Sequence, residues 1–158
     1  MVFSKSFSYA VRGILFLAIH QERKKYIQAE EIATALGTPR HFMGKILKGL
    51  AKEGVLNSNK GPSGGFAINE HTLTVPLIKL VLITKGLPDF NNCALQIRQC
   101  NKTNPCAMHD QVVTIREQMI TMLSDVNIND LLSKDHESLM KTISSADVNT
   151  HDSPVVLT

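Results

Sequence analysis

Residues 29–66 constrain the fold more tightly than any other stretch of the chain. Ala29–Leu36 is a short segment with Glu30 and Glu31 in its first turn and Gly37 as a stop, the pattern of a helix. Thr38-Pro39 follows at once and reads as N-cap and first position of a third helix, after one earlier in the chain. Phe42, Met43, Ile46, Leu47 and Leu50 form its apolar side, while Arg40, His41, Lys45, Lys48 and Lys52 form the other. Two helices joined so tightly make a helical corner. Gly54 closes the third helix, and Val55–Ser58 and Phe66–Ile68 become two short strands joined by Asn59-Lys-Gly-Pro-Ser-Gly-Gly65. Helix, turn, basic helix and hairpin in this order predict a mainly α fold with a small β wing, a winged helix-turn-helix.

The flanks extend that unit. Ser4 can cap a first helix whose apolar residues Phe7, Val11, Ile14, Leu15 and Ala18 recur at helical spacing, ending near His20. Its apolar run from Gly13 to Ile19 is too short to span a bilayer and leads into charged residues instead of a cleavage site. The expectation is a cytoplasmic protein without membrane association. Pro76 opens a short helix over Leu77–Thr84, stopped by Gly86 and Pro88, and a loop follows to Pro105. Asn104-Pro105 repeats the cap-plus-proline pattern and predicts a long helix from Cys106 to Ser124. Within it Met108, Val112, Ile115, Met119, Met122 and Val126 are spaced 4-3-4-3-4, a heptad-like seam suited to homodimerisation. An ordinary core helix with methionine gap fillers is the alternative. A last helix is expected over Asn129–Ile143, and the polar tail beyond Ser144 is expected to be disordered. The expected organisation is thus a DNA-binding domain over 1–75, a loop-and-dimerisation region over 76–144, and a tail over 145–158.

The net charge of +3 is divided unevenly. Residues 1–75 hold ten Lys/Arg against five Asp/Glu, a net of +5, and the remainder hold seven against nine, a net of −2. A basic head with a mildly acidic tail suits a polyanion partner, here double-stranded DNA. Base edges are reached mainly from the start of a recognition helix, which makes Thr38, Arg40, His41 and Lys45 candidate readers; Lys48 and Lys52 suit phosphates. Lys60, Ser63 and Gly64 of the hairpin offer a cation, a hydroxyl and bare backbone to the same partner. Alone, a basic amphipathic helix is more often a solvated face; the adjoining wing shifts the balance. Tryptophan is absent and aromatics make up 5% of the chain, so no stacking platform for single strands is evident. No acid/base carboxylate pair, nucleophile triad, Walker loop or dinucleotide fingerprint occurs, and no enzyme is expected.

All three cysteines fall within Cys93-x6-Cys100-x5-Cys106, and His109 follows three residues later. An odd number in so short a window is a poor disulfide framework and a plausible ligand cluster. Thiolates with one imidazole suit an iron–sulfur cluster or zinc, and spacing alone does not separate them. A zinc-stabilised interaction module contacting acidic partners is the rival from another class.

Tyr9-Ala-Val-Arg12, Ile32-Ala33, Pro39-Arg-His-Phe-Met-Gly-Lys-Ile-Leu47, Leu50, Gly54 and above all Lys60-Gly-Pro-Ser-Gly-Gly-Phe66 resemble the Rrf2 family of winged-helix regulators, from about Phe3 to Leu132. That resemblance implies a regulator, most simply a repressor, that binds a pseudo-palindromic operator as a homodimer with its long helix crossing between protomers. Family members that carry a cluster have three cysteines in this loop; the first gap here is one residue longer than usual. A histidine three after the last cysteine resembles the IscR arrangement, which implies a [2Fe–2S] cluster on Cys93, Cys100, Cys106 and His109, responsive to redox, nitric oxide or iron status. Members with a [4Fe–4S] cluster use an acidic residue near the partner's N-terminus, where Ser8 stands here. Others lack a cluster and respond through a thiol or a small ligand.

Overall fold

The computed structural model describes residues 3–86, 101–134 and 141. Helix α1 (Lys5–His20) starts where the Ser4 hydroxyl accepts the Phe7 N–H at 3.1 Å. It buries Phe7, Ala10, Ile14, Leu15, Phe16, Leu17 and Ala18, more than one face's worth, because other elements pack around it. Gly13 lets a neighbouring helix cross closely: a Cβ there would sit 3.3 Å from Met43 Sδ and 3.4 Å from Leu47 Cδ2.

Helices α2 (Ala29–Ala35) and α3 (Arg40–Lys52) end in the same way. After α2, Gly37 takes φ 60°, its N–H reaches the Thr34 carbonyl at 3.3 Å, and the Thr38 N–H reaches Ala33 at 2.9 Å. After α3, Gly54 takes φ 73°, its N–H reaches Ala51 at 3.1 Å, and the Val55 N–H reaches Leu50 at 2.9 Å. Both are Schellman turns, which satisfy the last carbonyls while reversing the chain sharply. Thr38 therefore closes α2. Pro39, not Thr38, stands at the N-cap of α3, and no side chain caps that end.

Strands β1 (Leu56–Asn59) and β2 (Gly65–Ile68) pair antiparallel, with Leu56 opposite Ile68 and Asn59 opposite Gly65. β1 begins one residue later than expected because the Val55 N–H is committed to the end of α3. Ile27 and Phe66 exchange two backbone hydrogen bonds of 2.9 and 2.8 Å, fixing the hairpin's base to the lead-in of α2. A 3-10 turn at Thr72–Thr74 leads to α4 (Leu77–Thr84), whose bounds match the expectation.

Helix α5 (His109–Asp125) begins three residues after the expected start. Asn104 does not cap it; Asn104 closes a tight turn with Asn101, whose Oδ1 accepts from the Thr103 N–H and hydroxyl and from the Asn104 N–H at 2.7–3.0 Å. Helix α6 (Ile128–Lys134) opens on a reciprocal capping box: the Asn127 N–H donates to Asp130 Oδ2 at 2.9 Å and the Asp130 N–H to Asn127 Oδ1 at 3.0 Å. The expected extension of this helix to Ile143 and the tail 145–158 lie outside the described residues, save Lys141. Among the described residues, no helix is long and apolar enough to cross a membrane. The core joins α1 to α4 and the base of the hairpin, with Leu123 and Ile128 as its contributions from the last two helices.

Candidate nucleic-acid interface

Met43, Leu47 and Leu50 bury one side of α3, leaving Arg40, His41, Gly44, Lys45 and Lys48 on its outer side. That side forms one wall of an open groove of about 720 Å³, whose remaining lining is Ala29 of α2 and Phe66 of β2. The groove thus has an apolar floor and a cationic rim. Arg40 is drawn across to α2, with its Nη2 3.1 Å from Glu30 Oε2; both side chains are well exposed. A second exposed pair, Lys24 Nζ with Glu31 Oε2 at 2.7 Å, sits nearby in sequence. Isolated surface pairs of this kind contribute about 0–1 kcal/mol, so they orient side chains more than they stabilise the fold.

Two residues, one in α3 and one just before it, depart from the expectation. Phe42, placed on the apolar side by its spacing, is 48% exposed, and its ring lies 4.2 Å from that of His41. Thr38 turns back toward α2, its hydroxyl 3.5 Å from the Ala33 carbonyl, so it belongs to the turn and not to the outer face of α3. Arg12 braces the same corner from α1, donating through Nη2 to the Leu36 carbonyl at 3.0 Å. Burial lowers the Arg12 pKa from its usual value, and the electrostatic influence of Tyr9 opposes that shift.

At the hairpin tip Lys60 and Ser63 are exposed, as a contact surface requires. Gly64 is buried, and a Cβ there would collide with the Asn59 backbone. Gly65, at φ 141°, would collide with Ile27 in the same way. These two glycines are accounted for inside the chain: the tip folds on itself and its base meets the α2 lead-in. Gln28 Nε2 adds a 2.8 Å bond to the Pro62 carbonyl, tying the tip to the body.

Of the cysteine region, Cys93 and Cys100 lie outside the described residues. Cys106 and His109 are both half-buried at the start of α5, and the His109 N–H donates to the Cys106 carbonyl at 3.0 Å. That turn sets the thiol and the imidazole at one end of one helix. Just before them, Thr103 and the Asn104 N–H are engaged with Asn101 in their own turn. Among the described residues, no three His, Cys, Asp or Glu side chains gather as a metal site. Along α5, Ile115 and Met122 are exposed at 53% and 51%, and Val112 and Met119 are half-buried.

Sequence reasoning missed Glu30 as a partner of Arg40, Gly44 in the groove, and the exposure of Phe42. The spacing of Glu30 and Arg40 across a short helical corner could have suggested the first.

Residues 3–134 match the family model described as "Rrf2: Iron-dependent Transcriptional regulator". A protein of Aquifex aeolicus (strain VF5), provisionally described as an HTH-type transcriptional regulator, is 28% identical over 141 residues, covering 88% of this chain and 96% of its own. Among solved structures, CymR, the global cysteine regulator of B. subtilis, superposes with a TM-score of 0.65 at 16% identity, over 84% of this chain and 97% of its own. T. potens IscR does so with a TM-score of 0.65 at 17% identity, over 87% and 90%. The folds agree, the family pattern spans nearly all of the described chain, and the relatives are not enzymes: this protein belongs to the Rrf2 family of transcriptional regulators.

Proposed function

We propose that this regulator binds a pseudo-palindromic operator as a homodimer, and that a [2Fe–2S] cluster on Cys93, Cys100, Cys106 and His109 sets its DNA affinity. The observation that carries the DNA reading is the cation-rimmed groove between α3 and the base of the wing. Arg40, His41 and Lys45 stand where base edges are reached, Lys48 where a phosphate is, and Lys60 and Ser63 at the exposed wing tip.

The donor set fits a cluster chemically: three thiolates and an imidazole are ligands that iron–sulfur centres accept. When bound, the group supplies a one-electron redox centre that oxidants, nitric oxide or iron shortage can remove. Cys106 and His109 are joined by one backbone hydrogen bond in the turn that leads into α5. The segment carrying the other two cysteines runs between α4, which packs beneath α3, and α5, which carries the apolar seam. A ligand held by that segment therefore bears on how two recognition helices are presented, and a ligand acts only through such a difference between states.

A second reading keeps the DNA interface and replaces the cluster with a thiol or a small ligand. The shared fold with a cysteine regulator favours it, since that fold serves more than one signal. The test is anaerobic purification with iron, sulfide and zinc quantified together, followed by duplex binding across a salt series. Equal iron and sulfide, with different duplex affinity before and after their removal, is the expected result. Zinc without sulfide would replace the cluster by a Cys3His zinc site. Identical affinity in both states would defeat the sensing role and leave DNA binding intact.

A further inference from the structure

Every glycine outside α3 has a positive φ, or a neighbour within 3.3 Å of where a Cβ would sit. The two inside α3 have neither. A Cβ at Gly44 would meet only the Ala29 Cβ at 3.8 Å, and one at Gly49 only Ile83 Cγ2 at 4.0 Å, both ordinary contacts. A glycine in a helix interior lowers the folding equilibrium constant about fivefold relative to alanine. Gly49 faces α4, whereas Gly44 lies in the groove with Arg40 one turn before it and Lys48 one turn after.

We propose that Gly44 is a specificity-determining position. Its bare Cα, with Ala29 and Phe66, forms an apolar floor that receives the 5-methyl group of an operator thymine while Lys48 on the rim engages a flanking phosphate. The inference rests on the DNA-binding reading above. Long lysine and arginine side chains reach phosphates from the rim, so phosphates do not need an empty floor. A base edge does, because it must come up to the helix backbone itself. The thymine methyl is the one apolar group that a base edge presents in the major groove, and apolar side chains are its usual partners.

Wild-type protein selects a preferred duplex from a randomised pool, and each thymine of that duplex is then replaced by deoxyuridine, which lacks only the methyl. One thymine per half-site is expected to weaken wild-type binding about fourfold when replaced, the worth of one buried methyl group. Gly44→Ala is expected to bind the thymine duplex more weakly and to lose most of its sensitivity to that replacement, with thermal stability equal to or above wild type. Gly49→Ala is expected to gain the same stability and keep wild-type DNA binding. Full binding by Gly44→Ala, or an equal loss on thymine and deoxyuridine duplexes, overturns the proposal and leaves DNA binding standing. A wild-type protein that enriches no sequence and shows no salt-dependent duplex binding overturns both.

Discussion

The winged-helix unit and the α5–α6 segment use their apolar residues in opposite ways. From α1 through α4, large side chains such as Ile14, Leu17, Ile32, Met43, Leu47, Leu50 and Leu80 are almost wholly buried within the chain. Helix α5 is 17 residues long and buries only Leu123, leaving Ile115, Ile120 and Met122 between 41% and 53% exposed. One region completes its own core. The other is a patterned apolar surface that its own described chain does not cover, the surface that the proposed homodimer would bury.

On that contrast, truncation in the first region is expected to cost folding stability, and change on α5 to cost association. The largest effect is expected from Leu47→Ala, which empties space between α3 and α1 beside Gly13. It should destabilise the fold by about 3–5 kcal/mol, read as a lower denaturant midpoint at unchanged slope. Ile115→Glu should leave a folded protomer but weaken self-association by roughly 2–3 kcal/mol, seen by light scattering over a dilution series. A dimer of unchanged strength would remove α5 from the interface. A Leu47→Ala variant as stable as wild type would mean that the winged-helix core is not the stabilising unit.

The same contrast explains what the sequence could disclose. Elements ended by local chemistry are legible: Ser4 starts α1, Gly37 and Gly54 end α2 and α3, and Pro76 starts α4, because each acts within four residues of itself. The seam on α5 is legible as a period without a destination. Misreadings arise where two local signals compete for one residue. Thr38 can cap α3 or close α2; its N–H and its hydroxyl both turn to the Ala33 carbonyl, and Pro39 stands at the N-cap of α3 instead. Asn104 can start α5 or close a turn with Asn101, and the Asn101 carboxamide takes it. Phe42 matches the helical period yet sits at the edge of the buried stripe, and periodicity does not say how wide that stripe is. Gly44 carries no periodic signal at all. Its meaning depends on an empty space that only the three-dimensional arrangement defines.

Thr72 sharpens the comparison at intermediate scale. It is the one fully buried polar residue among the described residues, and its hydroxyl donates to the Val55 carbonyl at 2.7 Å while accepting the Asn69 N–H at 2.8 Å. It fastens the 3-10 turn to the exit of α3, inside the self-sufficient region and far in sequence from α5. Thr72→Val keeps the shape and removes both hydrogen bonds, leaving the half-buried Asn69 N–H and the buried Val55 carbonyl without this partner. The expected loss is about 1–3 kcal/mol of folding stability with no change in self-association. A shift in association state would instead link the wing to the seam.

The smallest stability effect, and the most informative for DNA, belongs to Glu30→Gln. The Glu30–Arg40 pair is exposed on both sides, so its removal should change folding stability by less than about 0.5 kcal/mol. Its removal has a larger consequence at the groove. Glu30 places a negative charge beside the path of a polyanion and holds the Arg40 guanidinium away from it. Replacing the carboxylate by an amide keeps the side-chain shape, deletes that charge and frees Arg40 to turn to a phosphate or a base. Duplex affinity should therefore rise by roughly 2- to 5-fold at about 0.1 M salt, with the gain shrinking as salt screens the interaction. Unchanged affinity would mean that Arg40 does not leave Glu30 on binding. A fall would mean that Glu30 itself contacts a base, as a carboxylate can by accepting from a cytosine amino group.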